Sequence, residues 1–311
     1  MNWRLVRCGA FVALAYSAAL PVAPEADAER PVAIDSTRSD RVQLQHRFTR
    51  GQTQTYQLVA AQRISPVTRD PVVTDVRMSL TFSQEVQNVA PDGSATVGTT
   101  LSNPALETDV QSRRVFEAAW ARLRGLRSTT RVEPDGTLLE NLGGAMTDFG
   151  ALDPSGTVVD LITMTRVEFP REAVAIGESW LQTIPLSVST ADSSIVATAS
   201  ARYTLVGYAP FAGREVAVID ATYDTSVEGA VSFSNHAREL LIGRGHGSGY
   251  LLFDVGAGEV LEIGVTNGVV LTRTDISGAR SIFTADINST VTSLSVAAAA
   301  EGSGVVAGTP E

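Results

Sequence analysis

The stretch RVEPDGTLLE at residues 131–140 recurs 122 positions later as FDVGAGEVLE at residues 253–262. Each copy places a glycine in a turn between two β-prone runs. GQTQTY, which begins at Gly51, is echoed in the same order by GESW, which begins at Gly177. Landmarks that recur in one order at nearly one spacing predict two copies of a β-rich unit of about 120 residues.

Alternation of apolar and polar residues within each copy predicts antiparallel strands. Residues 75–83 alternate strictly, as expected of a strand with one buried face. A turn at Gly93 and a return run over residues 95–101 complete a hairpin. The second copy repeats this hairpin around Gly213, with a return run over residues 216–223.

Two segments depart from the β pattern. Residues 112–126 and 156–166 carry apolar side chains three and four positions apart, which predicts two amphipathic helices. We therefore expect a mainly β fold of two similar antiparallel curved-sheet halves, with one or two covering helices. The pattern leaves two arrangements open: a duplicated half-barrel fused into one long sheet, or a two-sheet sandwich.

The N-terminal residues 1–28 have the features of a signal peptide. Arg4 and Arg7 precede an apolar run over residues 9–20, and small residues at 26 and 28 suit a signal peptidase. The apolar run is too short to span about 30 Å of hydrocarbon. We expect an exported protein, periplasmic or extracellular, with no transmembrane segment in the mature chain.

The predicted organisation after the signal peptide has four parts. A flexible leader covers residues 29–44, and a first β-rich repeat with a helical insert covers residues 45–168. The second β-rich repeat covers residues 169–296, and a tail rich in Ala, Gly and Ser covers residues 297–311 and is expected to be disordered. The single cysteine, Cys8, lies in the signal peptide, so disulfides are not expected to stabilise the mature fold.

The charge of the chain excludes several classes of function. The net charge is −10, which argues against nucleic acid as a partner because phosphate backbones would be repelled. All 24 residues in the Lys+Arg count are arginine. A Schiff-base lysine and a phosphate-binding P-loop lysine are therefore both excluded.

The glycine-rich stretch over residues 243–249 is the most conspicuous candidate site. A phosphate-binding loop would open a helix, but a β-prone run follows here, so we predict a connection or bulge between strands. His246 lacks the spacing to the other histidines that zinc sites use. Ser248 lacks the flanking glycines of a nucleophile elbow.

Carboxylates on one predicted strand are the remaining candidates for chemistry. Asp220, Asp224 and Glu228 lie on or just after a predicted strand, and Asp220 and Asp224 would share a face. Such a pair could bind a cation or act as acid and base, but a solvated strand face is far commoner. We assign no catalytic, cofactor-binding or metal-binding residue and expect no cofactor.

Several motifs together resemble a known family. Phe169-Pro170 precedes AVAIGESW at residues 173–180, and ARYTLVG follows at residues 201–207. This series resembles a family of exported bacterial β-rich domains of unknown function, over roughly residues 48–274. The resemblance implies export and a β-rich fold, and it implies no activity. The residues expected to anchor the fold are Tyr56, Gly51, Gly136, Gly177, Trp180, Tyr203 and Gly258.

The sequence favours a non-enzymatic extracytoplasmic binding module. The first hypothesis is that an apolar or amphipathic ligand such as a lipid, or a protein partner, binds in the concavity of a curved sheet, and a continuous apolar cavity of roughly 300 Å³ or more would support it. The alternative is an envelope scaffold or assembly protein that acts through protein–protein contacts on its outer faces or edges. A hydrolase built on His246 with Asp220 or Asp224 is the third and least favoured hypothesis.

Overall fold

The computed structural model describes residues 33–68, 73–109, 123–143, 167–185, 188–190, 193–232 and 238–295. The elements of this described part are twelve β-strands that belong to one sheet. They are β1 Thr53–Pro66, β2 Thr74–Val89, β3 Ala95–Thr108, β4 Arg127–Val132, β5 Leu138–Gly143, β6 Ser179–Pro185, β7 Val188–Thr190, β8 Ser193–Phe211, β9 Arg214–Ser232, β10 Arg238–Asp254, β11 Glu259–Thr274 and β12 Arg280–Ser293.

The prediction of a mainly β, antiparallel fold is confirmed. The strand order is β5-β4-β3-β2-β1-β12-β11-β10-β9-β8-β6, with β7 paired to β8, and the pairs are antiparallel. Of the two arrangements left open, the structure has the fused one, because β1 of the first half pairs with β12. The two halves therefore share one large curved sheet.

The strands of the two halves follow the same spatial order. Strands β1 to β5 lie side by side in chain order, and β6 with β8 to β11 repeat that order in the second half. The three glycine pairs that mark the repeat have matching positive φ angles: Gly51 83° and Gly177 88°, Gly93 85° and Gly213 75°, Gly136 94° and Gly258 71°. Such angles strain residues with a Cβ, which accounts for glycine at each.

The hydrogen bonds at the start of each half are also equivalent. The Gly51 amide donates to the Val86 carbonyl at 2.8 Å, and the Gly177 amide donates to the Leu205 carbonyl at 2.7 Å. Both acceptors lie beside a β-bulge, where the register shifts between residues 86 and 88 and between 205 and 207. The sequence repeat therefore corresponds to a repeat in backbone geometry.

Each half is preceded by a short lead-in segment that packs against a glycine turn of the other half. Arg47 lies in the lead-in segment of the first half, and Phe169 lies in that of the second. The Phe169 amide donates to the Asp135 carbonyl at 2.6 Å, beside Gly136, and a Cβ on Gly136 would overlap the Val167 carbonyl. The first half has the same contact with the turn at Gly258, where a Cβ would overlap the backbone of Arg47. These glycines are thus needed both for their backbone angle and for the close approach of another segment.

One apolar cluster spans both halves of the sheet. It joins Leu58 and Phe82 of the first half to Leu205 and Leu251 of the second, and each of these side chains is buried. Alternation along the strands places these residues on one face. A smaller buried cluster, which includes Val218 and Leu252, lies on the opposite face of the second half. The largest core of the described part is therefore shared by the two halves.

The prediction for residues 243–249 is wrong. Gly243, Gly245, Gly247 and Gly249 lie in the middle of β10, which pairs along this stretch with both β9 and β11. All four face the interior, where a Cβ would overlap atoms of β11 such as Leu271 Cδ2 at Gly243. Because these glycines have no side chain, residues of β11 can pack closely against the backbone of β10. The run therefore has a packing role inside a strand and does not form a loop between two strands.

The predicted flexible leader also needs correction. Within residues 33–44, the Val42 amide donates to the Val174 carbonyl at 2.8 Å, and Leu44 is fully buried. Arg41 makes two hydrogen bonds to the Glu178 carboxylate, at 2.6 and 2.7 Å. The segment lacks apolar periodicity because ion pairs and backbone hydrogen bonds, not a buried stripe, hold it against the sheet.

Several other predictions lie outside the described residues. These are the signal peptide over residues 1–28, most of the helix over residues 112–126, the helix over residues 156–166 and the tail over residues 297–311. Residues 123–126, the predicted end of the first helix, form a turn in which the Gly125 amide donates to the Leu101 carbonyl at 2.8 Å.

Two glycine-to-alanine substitutions distinguish the stability cost of backbone strain from the cost of a steric overlap with another segment. Gly51→Ala should cost about 1 kcal/mol, because its φ is positive but a Cβ there meets open space. Gly136→Ala should cost at least about twice as much, because its Cβ also overlaps the Val167 carbonyl. Urea unfolding of both variants measures the difference, and equal losses would contradict the lead-in contact.

Candidate functional site

Aromatic rings from both halves fill the concave side of the sheet. Phe169 lies 4.6 Å from Phe253 and 5.3 Å from His46, measured between ring centroids. Trp180 stacks on Tyr203 at 5.6 Å, and its indole Nε1 donates to the Glu168 carbonyl at 2.9 Å. Rings at these distances leave no room for a ligand between them.

Three of the predicted anchors, Tyr56, Trp180 and Tyr203, lie in or beside this interior. Tyr56 stacks on Phe82 at 5.1 Å, and Tyr203 meets Tyr223 edge to face at 6.4 Å. Burial raises the pKa of Tyr56, Tyr203 and Tyr223 well above the usual tyrosine value. These hydroxyls therefore stay protonated at any physiological pH, and none is available as a base.

A small hollow lies next to Tyr56, where the first half meets the β10–β11 turn. Its volume is about 50 Å³, and Gln54, Gln84 and Val260 are among its lining residues. The Gln84 Nε2 atom is buried there without a hydrogen-bond partner. This volume suits a few water molecules, whereas ligand pockets measure roughly 300 Å³ or more.

The predicted hydrolase residues meet, but not in a cleft. His246 Nδ1 lies 2.9 Å from Asp224 Oδ1, and the two side chains are 76% and 82% exposed. They are cross-strand neighbours on the outer face of the sheet, where Ser248 is two residues along β10 and roughly 7 Å away. No hydrogen bond joins Ser248 to His246 among the described residues. The pair lacks the excluded-water site that general acid–base chemistry uses.

No group of three or more His, Cys, Asp or Glu side chains placed to hold a metal ion occurs within the described ranges. Asp220 lies on the same outer face as Asp224, as predicted, and Glu228 follows toward the end of β9. Across the part of the chain that the structure describes, no helix is long and apolar enough to cross a membrane.

Exposed apolar side chains gather on the outer face near one end of β8 to β12. We call this group the outer patch. It consists of Val196, Leu240, Ile242, Val270 and Ile282, which are 57%, 44%, 49%, 52% and 44% exposed. Strand register brings them together, because Ile242 pairs with Thr272, which in turn pairs with Ile282.

The outer patch was missed by sequence reasoning. On β10 its residues Leu240 and Ile242 occupy even positions, and the glycines from Gly243 onward occupy odd positions that face inward. That alternation is visible in RELLIGRGHGSG at residues 238–249. The signal was available, but a glycine run is usually interpreted as a loop and so its strand period was overlooked.

Comparison with known proteins adds no assignment. No protein-family model matches the sequence, and a search of curated proteins finds no match. One matched solved structure is a protein from Bacteroides fragilis described as exported and as having a YmcC-like fold. It is 10% identical, covers 80% of this chain and 97% of that chain, and has a TM-score of 0.25. Similarity at this level carries no argument about fold or function.

Two ion pairs of different burial should respond differently to mutation. Arg273 Nη2 donates to Glu239 Oε1 at 2.7 Å, and the two side chains are only 12% and 10% exposed. Glu239→Ala should cost about 3 kcal/mol or more, because it leaves a buried guanidinium without its carboxylate. Asp224→Ala should cost less than about 0.5 kcal/mol, because its partner is in water.

Thermal unfolding of these two variants tests that ranking. A loss of more than about 2 kcal/mol in the Asp224 variant would mean that the His246–Asp224 pair is far better shielded than its exposure indicates.

Glu168 should make stability depend on pH. Burial raises the pKa of Glu168, and the nearby Asp135 carboxylate raises it further. The ionised form is therefore disfavoured in the folded protein, so stability falls as the pH rises from the unfolded pKa through the folded pKa. Glu168→Gln should be more stable than wild type at pH 7, and the difference should vanish below about pH 4.

Thermal melts of Glu168→Gln from pH 3 to pH 8 measure this difference, with Glu85→Gln on the exposed side of β2 as the control. A Glu168 variant that is less stable at pH 7 would show that the carboxylate makes a stabilising contact instead.

Proposed function

We propose that this protein is an exported, non-enzymatic interaction module that acts through protein–protein contacts at the outer patch. This is the scaffold or assembly hypothesis drawn from the sequence. The observation that supports it most is the distribution of apolar side chains, which fill the concave side and also remain exposed on the convex side.

The filled interior argues against a carrier of lipid or another amphiphile. The aromatic contacts between Phe169, Phe253 and His46 occupy the space that such a ligand would need. The hollow beside Tyr56 is about 50 Å³, roughly one sixth of the smallest usual ligand pocket. Burying a long acyl chain there would require strands to separate, at the expense of the shared core.

The outer patch has the character of a contact surface. Five aliphatic side chains lie on a continuous sheet face among Glu228, Arg244 and several threonines, where ordinary strands present mainly polar residues to water. Contiguous exposed apolar groups on a soluble domain usually mark a site of association. Export is part of the proposal and rests on residues 1–28 of the sequence.

Site-specific crosslinking in the bacterial envelope tests the function. A photoreactive residue at position 242 should give a discrete protein adduct, because Ile242 lies at the centre of the outer patch. The control places the same residue at Leu181 on β6, which is 66% exposed but outside the patch. An adduct at both positions or at neither would contradict a specific contact at the patch.

Native mass spectrometry of the same purified protein checks the competing hypothesis. We expect a mass without any bound amphiphile. A stoichiometric adduct that extracts as a lipid would overturn the proposal and restore the carrier hypothesis.

A further inference from the structure

Two charged side chains of opposite sign lie at the middle of the outer patch, and a third, Arg280, lies at its edge in the row of Leu240. Glu228 sits between Val196 and Ile242, with which it pairs across β8 and β10. Arg244 follows Ile242 on the same face of β10 and pairs with Val270 of β11. Both side chains are exposed.

Neither of the two side chains, Glu228 and Arg244, has a polar or charged partner within the described part of the chain. The Glu228 carboxylate and the Arg244 guanidinium make no hydrogen bond or ion pair with another described residue. They are diagonal neighbours, since Glu228 faces Ile242 and Arg244 faces Ser226. Elsewhere on the outer face, cross-strand charges do pair, as Arg63 does with Asp75 at 2.8 Å.

The diagonal arrangement of Glu228 and Arg244 is complementary to the same arrangement on a second copy of the chain. In a two-fold contact the same patch faces itself, so a residue at one position meets a different position on the other copy. A two-fold axis between Glu228 and Arg244 would bring each carboxylate against the other copy's guanidinium. The charges of Glu228 and Arg244 cancel and Arg280 adds one positive charge, so the patch itself is not acidic although each copy has a net charge of −10.

We propose that the partner at the outer patch is a second copy of this chain. The two sheets pack face to face about 10 Å apart, as aligned sheets do. Glu228 then pairs with Arg244 of the partner subunit, and Ile242 and Val270 are buried at the centre of the contact. This inference rests on the proposed function, because it names the protein that the outer patch binds.

The size of the outer patch indicates how strongly two copies of the chain should associate. Five adjacent strands and three side-chain rows span roughly 19 Å by 14 Å. That footprint is smaller than the roughly 800 Å² per partner of standard stable complexes. We therefore expect a weak dimer, with a dissociation constant of about 0.1 mM or higher.

Charge reversal provides a sharp test by sedimentation velocity over a range of protein concentrations. Glu228→Arg and Arg244→Glu should each raise the dimer dissociation constant at least about tenfold, because like charges then face each other. Mixing the two single variants should restore association, since one copy then carries two arginines and the other two glutamates. The double variant E228R/R244E should also dimerise.

The matched control is Arg202→Glu, which reverses an exposed charge on β8 outside the patch and should leave association unchanged. Circular dichroism melts confirm that each variant is folded, so that a loss of dimer is not a loss of fold. Wild type that remains monomeric at all concentrations would overturn the inference. So would a dimer that is insensitive to both reversals.

The crosslinking experiment separates this inference from the proposed function. An adduct at position 242 with twice the mass of the chain supports both. A discrete adduct with a different protein, together with monomeric wild type, overturns self-association while the proposed function stands.

Discussion

The antiparallel pairing of β1 with β12 is the interaction on which the rest of the structure depends. It runs from Tyr56 opposite Ser293 to Pro66 opposite Phe283 and is the point where the first half joins the last strand of the second. Because of this pairing, neither half has to bury its own apolar face alone. Side chains from both halves instead fill one interior, and strands far apart in the chain become neighbours.

The packed interior is the reason why the proposed contact lies on the outside of the sheet. Among the described residues, aromatic rings and aliphatic side chains meet on the concave side, and the hollow beside Tyr56 measures only about 50 Å³. The inward glycines of β10 contribute to this, since they let Val269 and Leu271 of β11 approach closely. On the convex side the same strands display Ile242 and Val270. The proposed function and self-association both follow from this division between the faces.

Sequence reasoning was most successful where a local constraint leaves a strong pattern. The glycines at positions 51, 136, 177 and 258 mark turns that need positive φ, and alternation over residues 75–83 marks β2. It was least successful where the pattern had two explanations. The run over residues 243–249 has loop composition, yet it is a strand whose inner face is occupied by its neighbour's side chains. Residues 33–44 have no periodicity, yet Arg41 and Leu44 hold them in place.

The fold class, the repeat and its turns could be predicted from the sequence, because backbone angles and strand periodicity depend on residues that are close in the chain. That the halves share one sheet and a packed interior, and that His246 and Asp224 are exposed to solvent, became evident only from the three-dimensional arrangement of the strands. The outer patch also could not be predicted from the sequence, because Val196, Ile242 and Ile282 are brought near one another only by the strand register. Register is set by long-range pairing and by the competition for buried surface, and neither is written in any local stretch of the chain.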